Sequence, residues 1–158
     1  MTERRRLLVV EDSEAKLASI TAALRACLPI QVEAAKSVKS ALNMLKSEEF
    51  ALIIADMSLP TFDVKNRERG GTARPFGGIE IFDYLQRRQC EIPVIVVSSY
   101  PALVDGSTSL TLNDLAQKLR NTYPKIFAGY VFFDSAYLTW EIQLQALAKE
   151  IIDGQSAA

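Results

Sequence analysis

The order of apolar and polar positions divides the chain into alternating strands and helices. Leu7-Leu8-Val9-Val10, Ala51-Leu52-Ile53-Ile54-Ala55 and Pro93 to Val97 are short runs with no polar interruption. Runs apolar on both faces suit interior strands of a parallel sheet. Ile30 to Ala34 alternates instead, as a strand near an edge does. Phe127 to Phe133 is a fifth strand. Between them the period changes to that of helices. Leu17, Ile20, Leu24 and Leu28 mark a first helix, with Ser13 placed to cap it. Ser37 to Glu48 and Gly78 to Arg88 predict the second and third. Thr111 with Asp114 has the form of a capping box and opens a fourth, carrying Leu112, Leu115 and Leu119. Ala136 to Ile152 predicts a fifth, with Leu138, Ile142, Leu147 and Ile151 broadly on one side. The tail from Asp153 to Ala158 reads as frayed.

Five strand–helix alternations with short connections predict an α/β fold, a doubly wound parallel sheet with helices on both faces. The 158 residues are expected to form one domain spanning 4–153, with 154–158 as tail. Two segments exceed ordinary strand–helix connections, Ser58 to Gly77 and Tyr100 to Leu110. Both read as loops. The first carries Lys65, Arg67, Arg69 and Arg74 beside Glu68, with Gly70-Gly71 inside, and suits a surface insertion or a basic lid.

Composition narrows the chemistry. Hydrophobic residues make up 49% and charged residues 23%, and 18 basic side chains nearly balance 19 acidic ones. A net charge of −1 argues against direct nucleic-acid or membrane binding. The two cysteines, Cys27 and Cys90, are far apart and lack metal-type spacing. With no signal peptide and no apolar run of membrane length, a reduced, cytoplasmic setting is expected. The chain has no histidine, which removes Ser-His-Asp and Cys-His catalysis and the commonest zinc ligand.

Ligands of open parallel sheets bind at the carboxyl ends of the strands. Glu11 and Asp12 follow the first strand, Asp56 the third, Ser98 and Ser99 the fourth, and Phe133 and Asp134 stand at the end of the fifth. Glu11 and Asp12 also suit a helix N-terminus. Carboxylates converging on one point repel unless a pKa rises or a cation joins them. A hard divalent cation such as Mg²⁺, with oxygen ligands, answers that need. A carboxylate beside it can attack phosphorus and form an acyl phosphate.

Four segments together resemble response-regulator receiver domains. Leu7-Leu8-Val9-Val10-Glu11-Asp12-Ser13 is similar to the family's first strand and acidic pair. Ala55-Asp56-Met57-Ser58-Leu59-Pro60 is similar to its phosphoacceptor segment. Ile92-Pro93-Val94-Ile95-Val96-Val97-Ser98-Ser99 resembles its fourth strand, and Gly129-Tyr130-Val131-Phe132 its fifth. The resemblance implies a sheet of order 2-1-3-4-5 and Asp56 as phosphoacceptor. It implies Mg²⁺ held by Asp12, Asp56 and the Ser58 backbone carbonyl, with Glu11 acting through water. Ser98 would hydrogen-bond the phosphoryl group, and Tyr130 would be the switch aromatic. Ser58 and Tyr100 would tune acyl-phosphate lifetime. A histidine kinase or phosphotransfer protein would supply the phosphoryl group, and an unidentified protein would receive the signal. The chain would be a stand-alone receiver or a fragment of a larger protein, and not an enzyme.

One position departs from the family. Receivers place a lysine after the fifth strand, where this chain has Phe133, and no basic residue lies between Lys125 and Lys149. Loss of such a charge-assisted contact costs about 1.5–3 kcal/mol. Lys125, or the basic residues from Lys65 to Arg74, are the expected substitutes. Without a substitute the alternative is a pseudo-receiver, a binding module that signals without efficient phosphorylation. A small hydrolase using Asp56 as nucleophile is the third reading, and it lacks an evident general acid.

Overall fold

The computed structural model describes residues 4–63 and 74–156. Five strands form a parallel sheet: β1 (Arg5–Val10), β2 (Ile30–Ala35), β3 (Leu52–Ala55), β4 (Val94–Ser98) and β7 (Phe127–Phe132). Their order is β2-β1-β3-β4-β7, the expected 2-1-3-4-5 when only strands of this sheet are counted. The helices are α1 (Glu14–Cys27), α2 (Val38–Ser47), α3 (Ile79–Arg87), α4 (Leu112–Thr122) and α5 (Thr139–Ser156).

The two-sided runs become the three central strands because alternate side chains serve two separate cores. Leu8, Val10, Ile53, Ala55, Val94 and Val96 pack with α2, α3 and α4. Leu7, Val9, Leu52, Ile54, Ile95 and Val97 pack with α1 and α5. Each central strand is therefore apolar at every position. Ile30 to Ala35 alternates because it forms an edge. Cys27 and Cys90 are half-buried free thiols packed at the margins of the two cores.

Tyr100 to Leu110 is not the irregular loop its length suggests. It contains an antiparallel hairpin, β5 (Ala102–Asp105) and β6 (Thr108–Thr111), joined at Gly106-Ser107. Gly106 takes φ +61°, the positive value a type II′ turn places at its first central position. Leu103 from this hairpin is buried in the α2–α3–α4 core, while Val104 on the opposite side is exposed. Leu110, paired with Leu103 across the hairpin, packs against the same core. The Leu112 N–H donates to the Pro101 carbonyl, tying the hairpin to the start of α4. The Thr111 hydroxyl accepts from the Asp114 N–H at 3.0 Å and caps that helix, as its sequence indicates.

The last helix differs in phase and in length. Its buried stripe is Trp140, Leu144, Ala148 and Ile152, four residues apart. Leu138 and Ile142, expected inside, are exposed, and Leu147 and Ile151 flank the stripe. The helix begins at Thr139, because Asp134 folds its carboxylate back to accept from the Ala136 N–H and holds the preceding residues in a turn. At the other end, the frayed tail expected from Asp153 gives way to helix through Ser156. Gln155 anchors that final turn. Its side chain donates to the Ala51 carbonyl at 2.8 Å and accepts from Arg5 at 3.3 Å.

Candidate functional site

The carboxyl ends of β1, β3 and β4 open into one cleft of about 440 Å³. It is lined by Glu11, Asp12, Ser13, Lys16, Asp56, Ser58, Ser99, Tyr100 and Phe133, among others. Parallel register brings the acids together. Val10 pairs with Ala55, so the residues just beyond each strand end side by side. One carboxylate oxygen each from Glu11, Asp12 and Asp56 lies within 4.8 Å of the others. Glu11 and Asp56 are buried, while Asp12 is exposed at the cleft mouth.

Local hydrogen bonds fix these side chains. The Ser13 N–H donates to Glu11 Oε1 at 3.1 Å, and the Ser13 hydroxyl caps α1 by accepting from the Lys16 N–H. The Ser58 N–H donates to Asp56 Oδ1 at 3.2 Å. The other oxygen, Oδ2, is free of that bond. Burial raises the Glu11 carboxyl to about 7, with the Lys16 ammonium opposing the shift and the Asp56 charge adding to it.

The Lys16 ammonium closes the cluster, and it is the residue that sequence reasoning missed. Its Nζ donates to Asp56 Oδ2 at 2.9 Å and to the Val97 carbonyl at 3.0 Å. It also lies 2.8 Å from Glu11 Oε2. This buried Glu11 oxygen therefore has the ammonium as its ion-pair partner. The Phe133 ring lies 5.7 Å from the ammonium, within cation–π range, and packs on Trp140 at 4.6 Å. Of the expected substitutes, Lys125 and Arg74 do not fill this role. Lys125 pairs with exposed Glu91, and Arg74 pairs with Glu80. Lys65, Arg67, Glu68, Arg69, Gly70 and Gly71 lie outside the described residues.

Other expected site residues take varied positions. Ser98 ends β4 fully buried. Its hydroxyl accepts from the Tyr100 N–H and donates to the Tyr100 carbonyl, both at 3.2 Å, while neighbouring Ser99 lines the cleft. Tyr130 is half-buried on β7, its hydroxyl 3.5 Å from the Asn113 side chain of α4. Tyr100 is largely exposed at the rim.

Gly78 sets the depth of the segment from Asp56 to Ser58. A Cβ there would sit 2.4 Å from the Asp56 carbonyl oxygen and 2.9 Å from Met57 Cα. Both are backbone atoms and cannot swing aside. Gly78→Ala is therefore expected to cost about 1–3 kcal/mol, read as a lower urea midpoint, and to displace Asp56 from the other acids. An unchanged midpoint would contradict this packing.

The cluster fits a hard divalent cation. Its donors are all oxygens, two of its acids are buried, and the three carboxylates converge with only one ammonium among them. No helix among the described residues is long and apolar enough to cross a membrane.

Comparison with known proteins agrees with this geometry. Residues 7–115 match the family described as the response regulator receiver domain. The chain is 28% identical over 140 residues to the protein y4jR of Sinorhizobium fredii, covering 87% of this chain and 93% of that protein. It is 28% identical over 102 residues to the Detocs response regulatory protein DtcB of Enterobacter cloacae, covering 64% and 68%. Among solved structures, a CheY-like receiver domain protein from Methanospirillum hungatei superposes with a TM-score of 0.65 at 17% identity, covering 99% of this chain and all of that one. The phosphorylated cyanobacterial phytochrome response regulator RcpA gives 0.65 at 16% identity, covering 95% of each chain.

Proposed function

This chain belongs to the response regulator receiver family of two-component signalling, and from that premise we propose that it accepts a phosphoryl group on Asp56. The observation that carries the proposal is the position of Asp56. It is buried just beyond β3 among the residues lining the cleft shared with Glu11 and Asp12, with one carboxylate oxygen held by the Ser58 N–H and the other by the Lys16 ammonium.

In the transfer, an Asp56 carboxylate oxygen forms the new O–P bond as the N–P bond of a phosphohistidine breaks. The electron pair of the broken bond stays on the leaving ring nitrogen, which takes a proton from solvent. Asp12, Asp56, the Ser58 carbonyl and, through water, Glu11 would hold Mg²⁺, which supplies charge neutralisation for the transferring oxygens. Ser98 would turn its hydroxyl from the Tyr100 carbonyl to a phosphoryl oxygen, and Tyr130 would shift as that turn occurs. Ser58 and Tyr100, at the cleft edge, would govern water access to the acyl phosphate. Receivers as a family are signalling modules that exchange phosphoryl groups with histidine kinases or phosphotransfer proteins, and this chain's donor would be one of these.

The pseudo-receiver reading draws its force from the absent lysine at Phe133. An ammonium is nevertheless bonded to Asp56, so we favour the phosphoacceptor. Incubation with acetyl phosphate and Mg²⁺ should add one phosphoryl group to the intact mass, and the adduct should fail to form in EDTA. Failure to gain mass with both reagents present would overturn the proposal.

A further inference from the structure

We propose that Lys16, on the first turn of α1, is the cation that pairs with the phosphoryl oxygens on Asp56, and that Phe133 is its aromatic seat. The inference rests on the phosphoacceptor reading above. It assigns the contact to a different element of the fold from the one where the family keeps it.

Three observations carry it. First, the ammonium is already within hydrogen-bond distance of Asp56 Oδ2, at 2.9 Å, and its side chain is 5% exposed. A buried lysine needs a dedicated set of partners, and this one has Asp56, Glu11 and the Val97 carbonyl. Second, Phe133 fills the place of the missing lysine, and its ring lies beneath Lys16. The aromatic residue and the displaced charge fit as a pair: a ring holds an ammonium and cannot compete with it for the anion. Third, the formal charges agree. Three carboxylates meet one ammonium in this cluster. A divalent ion brings the sum to neutrality, and the phosphoryl group then adds charge that an ammonium retained at Asp56 can offset.

Lys16 donates hydrogen bonds and transfers no proton. On phosphorylation its bond to Asp56 Oδ2 would be exchanged for one to a phosphoryl oxygen. Its movement would be felt by Phe133 and, through it, by Trp140 on α5. Trp140 is the only tryptophan in the chain and therefore a direct probe.

The test compares the parent with Lys16→Met, Lys16→Arg and the double variant Lys16→Met/Phe133→Lys. Tryptophan fluorescence reads Mg²⁺ affinity and then beryllofluoride affinity at saturating Mg²⁺, and intact mass reads the rate of acetyl phosphate labelling. Lys16→Met is expected to weaken beryllofluoride binding and slow labelling by about tenfold to a hundredfold, the size of one charge-assisted hydrogen bond. Its Mg²⁺ affinity should be retained or increased, because a competing positive charge has left the acids. Lys16→Arg should recover part of the loss. The double variant, with a lysine restored at the end of β7, should recover most of it. Circular dichroism of each variant in Mg²⁺ reports folding. If Lys16 only neutralised the acids, Lys16→Met would tighten Mg²⁺ and leave labelling at saturating Mg²⁺ unchanged, and that result overturns the inference. Should Lys16→Met fail to fold, the double variant decides, since labelling far below the parent in a folded protein would also overturn it. A parent that takes no phosphoryl group defeats the phosphoacceptor reading instead.

Discussion

Asp56→Asn should abolish phosphoryl incorporation and leave the metal-free protein at least as stable as the parent. The two effects have separate causes. A carboxamide oxygen is too weak a nucleophile to form the acyl phosphate, so no labelling should survive. The fold, however, currently holds Glu11 and Asp56 around one ammonium, with exposed Asp12 nearby. Asparagine can still accept the Lys16 hydrogen bond through its side-chain oxygen. It leaves Glu11 and Lys16 as a balanced pair. The Glu11 carboxyl, raised to about 7 chiefly by burial and in part by the Asp56 charge, should come down by the part that Asp56 contributes. For a chain of this size each 1 kcal/mol moves Tm by roughly 2–4 °C. Thermal denaturation in EDTA should show a rise of a few degrees. A clear fall in Tm would mean that the buried carboxylate is a net support of the fold, contrary to the charge balance described above.

The second large effect lies far from the acids. Phe82→Ala is expected to cost about 3–5 kcal/mol. Phe82 is fully buried on α3, with its ring 5.1 Å from Tyr123 and 6.4 Å from Phe127. It joins α3 to the end of α4 and to β7. The Tyr123 hydroxyl is held by Asp83, so that ring cannot easily move into the space left behind. A domain has only about 5–15 kcal/mol of stability in all. The urea midpoint should drop sharply with little change in slope. Ile142→Ala serves as the control. Ile142 is exposed on α5, and its replacement should fall within about 0.5 kcal/mol of the parent. A large loss at Ile142 would show that the outward face of α5 is covered in solution.

The central sheet was legible because its signal is strong and redundant. Leu7 to Val10, Leu52 to Ala55 and Val94 to Val97 feed two cores at once, and only interior parallel strands require that. Helix starts marked by Ser13, Ser37 and Thr111 were legible because a hydroxyl cap is a local interaction. The phase of α5 was not. Leu138 and Ile142 are as apolar as the residues that enter the core, and only tertiary packing of Trp140 selects the buried stripe. The hairpin was obscured by its own brevity: four-residue strands around Gly106 carry too few apolar positions to set a period.

Glu11, Asp12 and Asp56 could be read from strand ends alone. Lys16 could not, because a lysine inside a helical pattern ordinarily reads as a solvated face. One signal was present. Lys16 stands three residues after the capping Ser13, in the first turn of α1, where the helix dipole disfavours a cation. A charge of the wrong sign at a helix start needs a reason, and two buried carboxylates supply it.

The seating of Lys16 also has a genealogical consequence. Two of the three acids and the cation here belong to one stretch of six residues, Glu11 to Lys16, encoded together and folded as a single strand-to-helix turn. In the usual arrangement they come from opposite ends of the chain and must drift in concert. A lineage with the local arrangement is free to vary the residues after its last sheet strand. Such chains should be recognisable by a lysine four positions after the second acid, together with an aromatic side chain where a lysine is otherwise kept.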